Sequence, residues 1–182
     1  PACPVSAPRS SCSTAATPAP AAATTSPSGC IGIATAVHLP DADVDLVEID
    51  PDALAVARAN VARHGVEDRV RVLESDLFAA LIGHRYDVIL SNPPYVAAEE
   101  YRTLPAEYRR EPELGLLADD EGLAVVLRIL RQAGRHLTDE GILVLEVGSA
   151  AAALDQRLPQ VPWTWIEFER GEAVTAELID HI

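Results

Sequence analysis

The tetrapeptide Asn92-Pro93-Pro94-Tyr95 follows directly on the apolar run Tyr86–Leu90, and its residue types suit one kind of chemistry. Proline has a locked φ and no N–H, so the carbonyls around it stay rigid and open to an outside donor. The Asn92 side-chain oxygen and the Pro93 carbonyl, both accepting from one flat –NH2, grip an amino group attached to an sp² carbon. That grip is what methylation of a glutamine amide requires, or of the exocyclic amine of adenine or cytosine. The competing reading is a proline-rich turn that merely closes a strand.

Other polar residues bear on the choice. In Val47-Glu48-Ile49-Asp50-Pro51 two acids end a strand. Asp50 suits the N-cap of a helix whose first residue is Pro51. Glu48 is then the acid at the end of a second strand, which in a doubly wound sheet accepts from the ribose hydroxyls of a nucleotide-like cofactor. Asp76, in Glu74-Ser75-Asp76-Leu77-Phe78, ends the next strand. Its carboxylate is a candidate acceptor for an adenine amino group and Leu77 a candidate to pack on the ring, although Asp76 also suits the cap of the following turn. Ser28-Gly29-Cys30-Ile31-Gly32 has the form of the tail of a glycine-rich turn, with Gly29 its last glycine and Gly32 at a close-packed helix position. A lone GxxG fits an ordinary helix start as well.

The elements that must hold these residues alternate. Helices are predicted over Ile31–Leu39, Pro51–Arg63, Glu121–His136 and Ala150–Leu158, with a short turn of helix over Asp76–Leu81. Strands are predicted over Val44–Ile49, Val70–Leu73, Tyr86–Leu90 and Gly141–Val147. Trp163–Phe168 and Ala173–Ile179 form a closing pair, and Val96 to Asp119 is irregular. The fold class is therefore α/β, a doubly wound, mostly parallel sheet with ligands at the carboxyl ends of its strands. Glu48, Asp76 and Asn92 then converge on one crevice.

Residues 1–28 stand apart. They are almost wholly Ala, Pro, Ser and Thr with Arg9 the only charge, a composition that buries too little surface to offset its ordering entropy. The expectation is a disordered linker or an out-of-frame segment over 1–28 and a catalytic domain over 29–182, with the first strand missing or corrupted. Residue 1 is not Met, which suggests a fragment or a processed product. The formal net charge of −14, with all 14 basic residues arginine, argues against broad contact with nucleic-acid phosphates and fits a basic protein partner. No apolar run approaches the roughly 20 residues of a membrane span. Cys3, Cys12 and Cys30 show no CxxC spacing, and the five histidines are scattered, so no metal site is indicated and a reducing, cytoplasmic setting is the default.

Seven segments together resemble a known family: SGCIGIA, DLVEIDPDALAVARAN, ESDLF, YDVILSNPPYV, LPAEYRREPELGL, LTDEGILVLEVG and VPWTWIEFERG. They resemble the class I, S-adenosylmethionine-dependent protein-(glutamine-N5) methyltransferases. Within these they are most similar to the branch that modifies ribosomal large-subunit protein three, a sibling of the release-factor branch. The resemblance implies a Rossmann-like domain without the family's helical N-terminal domain. It implies S-adenosylmethionine held by Gly29, Glu48, Asp76, Leu77 and Asn92, and a glutamine amide held by Asn92, Pro93, Pro94 and Tyr95. Asn92, Pro93 and Tyr95 are its catalytic residues, and the partner it implies is a ribosomal protein or a ribosome assembly intermediate. Arg109, Arg110 and Glu111 would form a gate over the substrate. The rivals are an N6-adenine nucleic-acid methyltransferase, which needs the same grip but lacks a basic recognition segment here, and a truncated relic unable to hold the cofactor.

Overall fold

A computed structural model of the chain describes residues 21–24, 29–97, 101, 118–167 and 172–176. Where the sequence carries strong punctuation, the elements begin and end as it dictates. Helix α2, Pro51–His64, opens on Asp50, whose carboxylate accepts from the Asp52 N–H at 2.8 Å, and closes on Gly65 at φ 64°. Helix α1 runs Cys30–His38, and strands β2, β3 and β4 run Val44–Glu48, Val70–Glu74 and Tyr86–Ser91.

Three of the expected elements differ in extent or type. Residues 76–81 form successive turns, with the Ala79 N–H on the Asp76 carbonyl and the Leu81 N–H on that of Phe78, instead of a turn of helix. Helix α3 covers Ala124–Ala133 and starts three residues later than expected. Asp120, Glu121 and Gly122 all have positive φ, at 56°, 58° and 87°, which no right-handed helix accepts. Strand β5 is longer, Leu137–Glu146, with Leu137 opposite Tyr86 and Ile142 opposite Val88, so extra residues bulge from its first half. Helix α4, Ala151–Arg157, then leads to strands β6, Thr164–Glu167, and β7, Glu172–Ala176, the expected closing pair.

Among the described residues the sheet has seven strands in the order β3-β2-β1-β4-β5-β7-β6. The third of these, β1, is Ala21–Thr24, from the tract expected to carry no structure. It pairs in parallel with β2 on one side and β4 on the other, with Thr24 level with Val47 and Ser91. Such a strand leaves no sequence signal. Alanine and threonine at these positions show no apolar alternation, and the two neighbouring ladders hold the segment. The first five strands are parallel, and β7 runs antiparallel to both β5 and β6.

Both faces are covered. All five residues of β2 are buried: Val44 and Leu46 pack with α1 and α2, and Val47 joins the opposite core with Ile89, Leu143 and the apolar face of α3. Two-sided burial is why these strands read as continuous apolar runs.

One polar group is built into this core. Arg71 grips Asp45 with two bonds of 2.8 and 2.7 Å, and the Tyr86 hydroxyl donates to Asp45 Oδ2 at 2.7 Å. The trio joins β3 to β2 and β2 to β4, the two neighbours of β1. Burial, followed by the bond to Asp45, pushes the Tyr86 hydroxyl pKa well above its ordinary value. The bond to Asp45 likewise raises that of Arg71.

Candidate active site

The strand order reverses between β1 and β4, and in open α/β sheets ligands bind outside the carboxyl ends at such a point. Glu48 stands at the tip of β2 and Asn92 just past the tip of β4. The register of β1 puts these two residues on one level, two strand spacings or about 10 Å apart.

Glu48 is buried, with 6% of its surface exposed. Its Oε1 accepts from the N–H groups of Ile49 at 2.8 Å and Asp50 at 3.0 Å. The carboxylate is thus clamped by its own backbone, and Oε2 is the oxygen left to meet a diol. Asp50 caps α2, as the sequence predicts. The Ser75 N–H donates to the Glu48 carbonyl at 2.9 Å and ties the tips of β2 and β3 together.

Beside them opens a cleft of about 460 Å³ lined by Ile49, Glu74, Ser75, Asp76, Ala79 and Ala80. Asp76 stands on its wall, and its Oδ2 accepts from Arg128 of α3 at 2.7 Å. Both side chains of that pair are about half exposed. The turn after β3 is capped by Ser75 instead of Asp76: its hydroxyl accepts from the Ala80 N–H and donates to the Leu77 carbonyl. Leu77 is a correction. It is 5% exposed, lies in the core at φ 52°, and has no face left for a flat ligand. The large exposed apolar side chain on the cleft is Ile49, at 42%. Its signal was available: an apolar residue at a strand tip, between an acid and a helix cap, has nowhere to bury itself.

Gly29 precedes α1 with φ 71°, and a Cβ there would lie 2.6 Å from the Leu46 side chain. The positive φ and the close leucine favour glycine, so the backbone runs bare into the N-terminus of α1. Gly32 packs on the same leucine, as the close-packing reading requires. The residues linking β1 to Gly29, at 25–28, lie outside the described residues.

Past Ser91, which is level with Thr24 of β1 and Leu145 of β5, Pro93 and Pro94 are buried while Asn92 and Tyr95 are partly buried. The Ala118 N–H donates to the Val96 carbonyl at 3.0 Å, which holds residue 118 close to Tyr95. Arg109, Arg110 and Glu111 lie outside the described residues. Sequence reasoning also missed two glycines packed against Tyr95, Gly122 and Gly148. Both are far from it in the chain, and pattern alone does not link them.

A larger cleft, about 570 Å³, opens at the amino ends of β2 and β3. Three of its charges serve the scaffold: Asp45 and Arg71 bond each other, and Arg69 donates to the Ala36 and Leu39 carbonyls at the end of α1. Among the described residues no group of His, Cys, Asp and Glu is placed to hold a metal ion, and no helix is long and apolar enough to cross a membrane.

Residues 24–107 match the family described as methyltransferase small domain. The ribosomal protein uL3 glutamine methyltransferase of Francisella tularensis subsp. tularensis is 46% identical over 144 residues, 79% of this chain and 46% of that protein. Its namesake from Xanthomonas campestris pv. campestris is 50% identical over 145 residues, 80% of this chain and 47% of that one. The chain thus spans about half the length of the curated relatives it matches. The hMettl16 catalytic domain superposes with a TM-score of 0.68 at 21% identity, covering 89% of this chain and 64% of that domain. At that identity the likeness establishes the class I methyltransferase fold.

Proposed function

Starting from a chain related over four-fifths of its length to ribosomal protein uL3 glutamine methyltransferases, we infer that it methylates a glutamine side-chain amide of that ribosomal protein. The observation that carries the reading is Asn92-Pro93-Pro94-Tyr95 at the carboxyl end of β4, beside β1 and level with the clamped Glu48.

S-adenosylmethionine, when bound, supplies an electrophilic methyl group on a positively charged sulfur. The residues present fit it. Gly29 keeps the entrance to α1 bare, Glu48 Oε2 is set for ribose hydroxyls, and Ile49 and Asp76 offer the cleft an apolar face and an acceptor.

A glutamine amide nitrogen is a poor nucleophile because its lone pair is delocalised into the carbonyl. Asn92 Oδ1 and the Pro93 carbonyl would accept its two hydrogens, and Tyr95 would pack against its plane. As positive charge develops on the nitrogen those bonds strengthen, which stabilises the transition state more than the bound substrate. One of the two held hydrogens then leaves as a proton, first to the oxygen that already accepts it. Fixed orientation supplies more; well-aligned intramolecular reactions gain ~7–11 kcal/mol in this way. The body of the chain is acidic and suits a basic ribosomal protein, free or in an assembly intermediate, which would place the reaction in the cytoplasm.

The test is transfer of a labelled methyl group to purified uL3, with mass spectrometry of the acceptor. The expected product is one methyl on a glutamine, and Asn92→Ala should lower the rate at least ~100-fold, in line with loss of an aligned acceptor, without changing the fold. Label in RNA and none in protein would favour the adenine reading. Calorimetry with S-adenosylmethionine that gives no heat at millimolar ligand would favour the relic.

A further inference from the structure

Tyr95 is approached by two backbone segments that are distant in the chain: the turn leading into α3 and the exit from β5. A Cβ on Gly122 would collide with the Tyr95 carbonyl oxygen and lie 2.9 Å from its carbonyl carbon. A Cβ on Gly148 would collide with Cε2 of the ring and lie 2.6 Å from Cζ and 3.0 Å from Cδ2. Ordinary contact begins near 3.4 Å, so a side chain at Gly148 forces the ring away by roughly 1 Å. Backbone conformation alone does not set these glycines apart. Gly65 and Gly83 also have positive φ, yet a Cβ on either would meet nothing within 4 Å.

We propose that Gly122 and Gly148 are positioning residues that form a slot for Tyr95. Gly122 seats its main chain and Gly148 the flat of its ring, and together they set where the substrate amide rests. The proposal builds on the methyl-transfer reading, because Tyr95 ends the segment whose Asn92 and Pro93 supply the acceptors. A ring displaced by 1 Å carries the amide off line, and misplacement on that scale can cost ~100-fold in rate.

The test uses Gly148→Ala and Gly148→Asn in the full chain, with Gly65→Ala as control. Asparagine tolerates positive φ better than alanine does, while both add the same Cβ. Both Gly148 variants should lower kcat for glutamine methylation about 10- to 100-fold, with the Kd for S-adenosylmethionine within about twofold of the parent. Gly65→Ala carries a similar backbone penalty and should leave kcat unchanged. In a Tyr95→Ala background, Gly148→Ala should change kcat less than about twofold, because the loss passes through the ring. Recovery of kcat in the asparagine variant would overturn the slot, and so would an undiminished loss in the Tyr95→Ala background.

A second readout needs no activity. The chain has four tyrosines, so their ring resonances can be assigned. The Tyr95 signals should move in both Gly148 variants and stay in place in Gly65→Ala; unmoved signals overturn the slot. If the parent methylates no protein yet the ring signals move as expected, the methyl-transfer reading has failed and the slot stands.

Discussion

Glu48 Oε1 is committed to the N–H groups of Ile49 and Asp50, and that pair of bonds decides how a substitution there will read. A glutamine can keep its carbonyl oxygen in the same clamp, but its –NH2 cannot accept from a hydroxyl. Glu48→Gln is therefore expected to leave the melting temperature nearly unchanged and to weaken S-adenosylmethionine binding. Hydrogen bonds to a charged acceptor are worth ~1.5–3 kcal/mol, so the Kd should rise about 10- to 150-fold by calorimetry. An unchanged Kd would remove Glu48 from the cofactor site. Of the residues legible in the sequence, Glu48, Asn92 and the cap Asp50 share a cause: each sits where a strand or helix ends, and ends are marked by residue type. Ile49 is exposed and Leu77 buried; the sequence shows that both are apolar but not which has a core to enter. Leu77 enters it through a positive φ that no pattern announces.

At the scale of elements, the trio of Asp45, Arg71 and Tyr86 holds the neighbours of β1 in place. Tyr86→Phe removes one of three bonds on a buried carboxylate, and should destabilise the fold by ~1–3 kcal/mol in urea unfolding. The pH dependence has a definite sign. The Tyr86 hydroxyl pKa is raised by folding above an unfolded value near 10, so its contribution is complete below about pH 10 and is lost as pH climbs beyond that. The melting temperature should hold up to about pH 9 and fall above 10, and in Tyr86→Phe that alkaline fall should be shallower. Equal slopes in the two proteins would remove Tyr86 as its cause. Helix α2 was legible almost to the residue because Asp50, Pro51 and Gly65 each admit one role. Strand β1 was not, since pairing on both sides defines it and its own residues do not. The start of α3 was misplaced by the three left-handed residues at 120–122, where the Asp120 pair with Arg157 of α4 also falls.

For the molecule as a whole, the acidic balance predicts how it meets a basic substrate. Long-range attraction raises the encounter rate and is screened as ions are added, whereas contacts inside the site are screened far less. For uL3 as substrate, kcat/KM should fall several-fold between about 50 and 500 mM salt while kcat changes little. A kcat/KM indifferent to salt would separate the charge of −14 from recognition. Doubly wound architecture was readable from strand–helix alternation; the insertion of β7 between β5 and β6 was not, because alternation does not record which edge a strand joins. That insertion has a consequence for biosynthesis. Among the described residues, strand β6 pairs with the sheet only through β7, which is translated after it. While the nascent chain leaves the ribosomal tunnel, the β5 edge stays open and Thr164–Glu167 waits without a neighbour, until residues 172–176 emerge and slide between them.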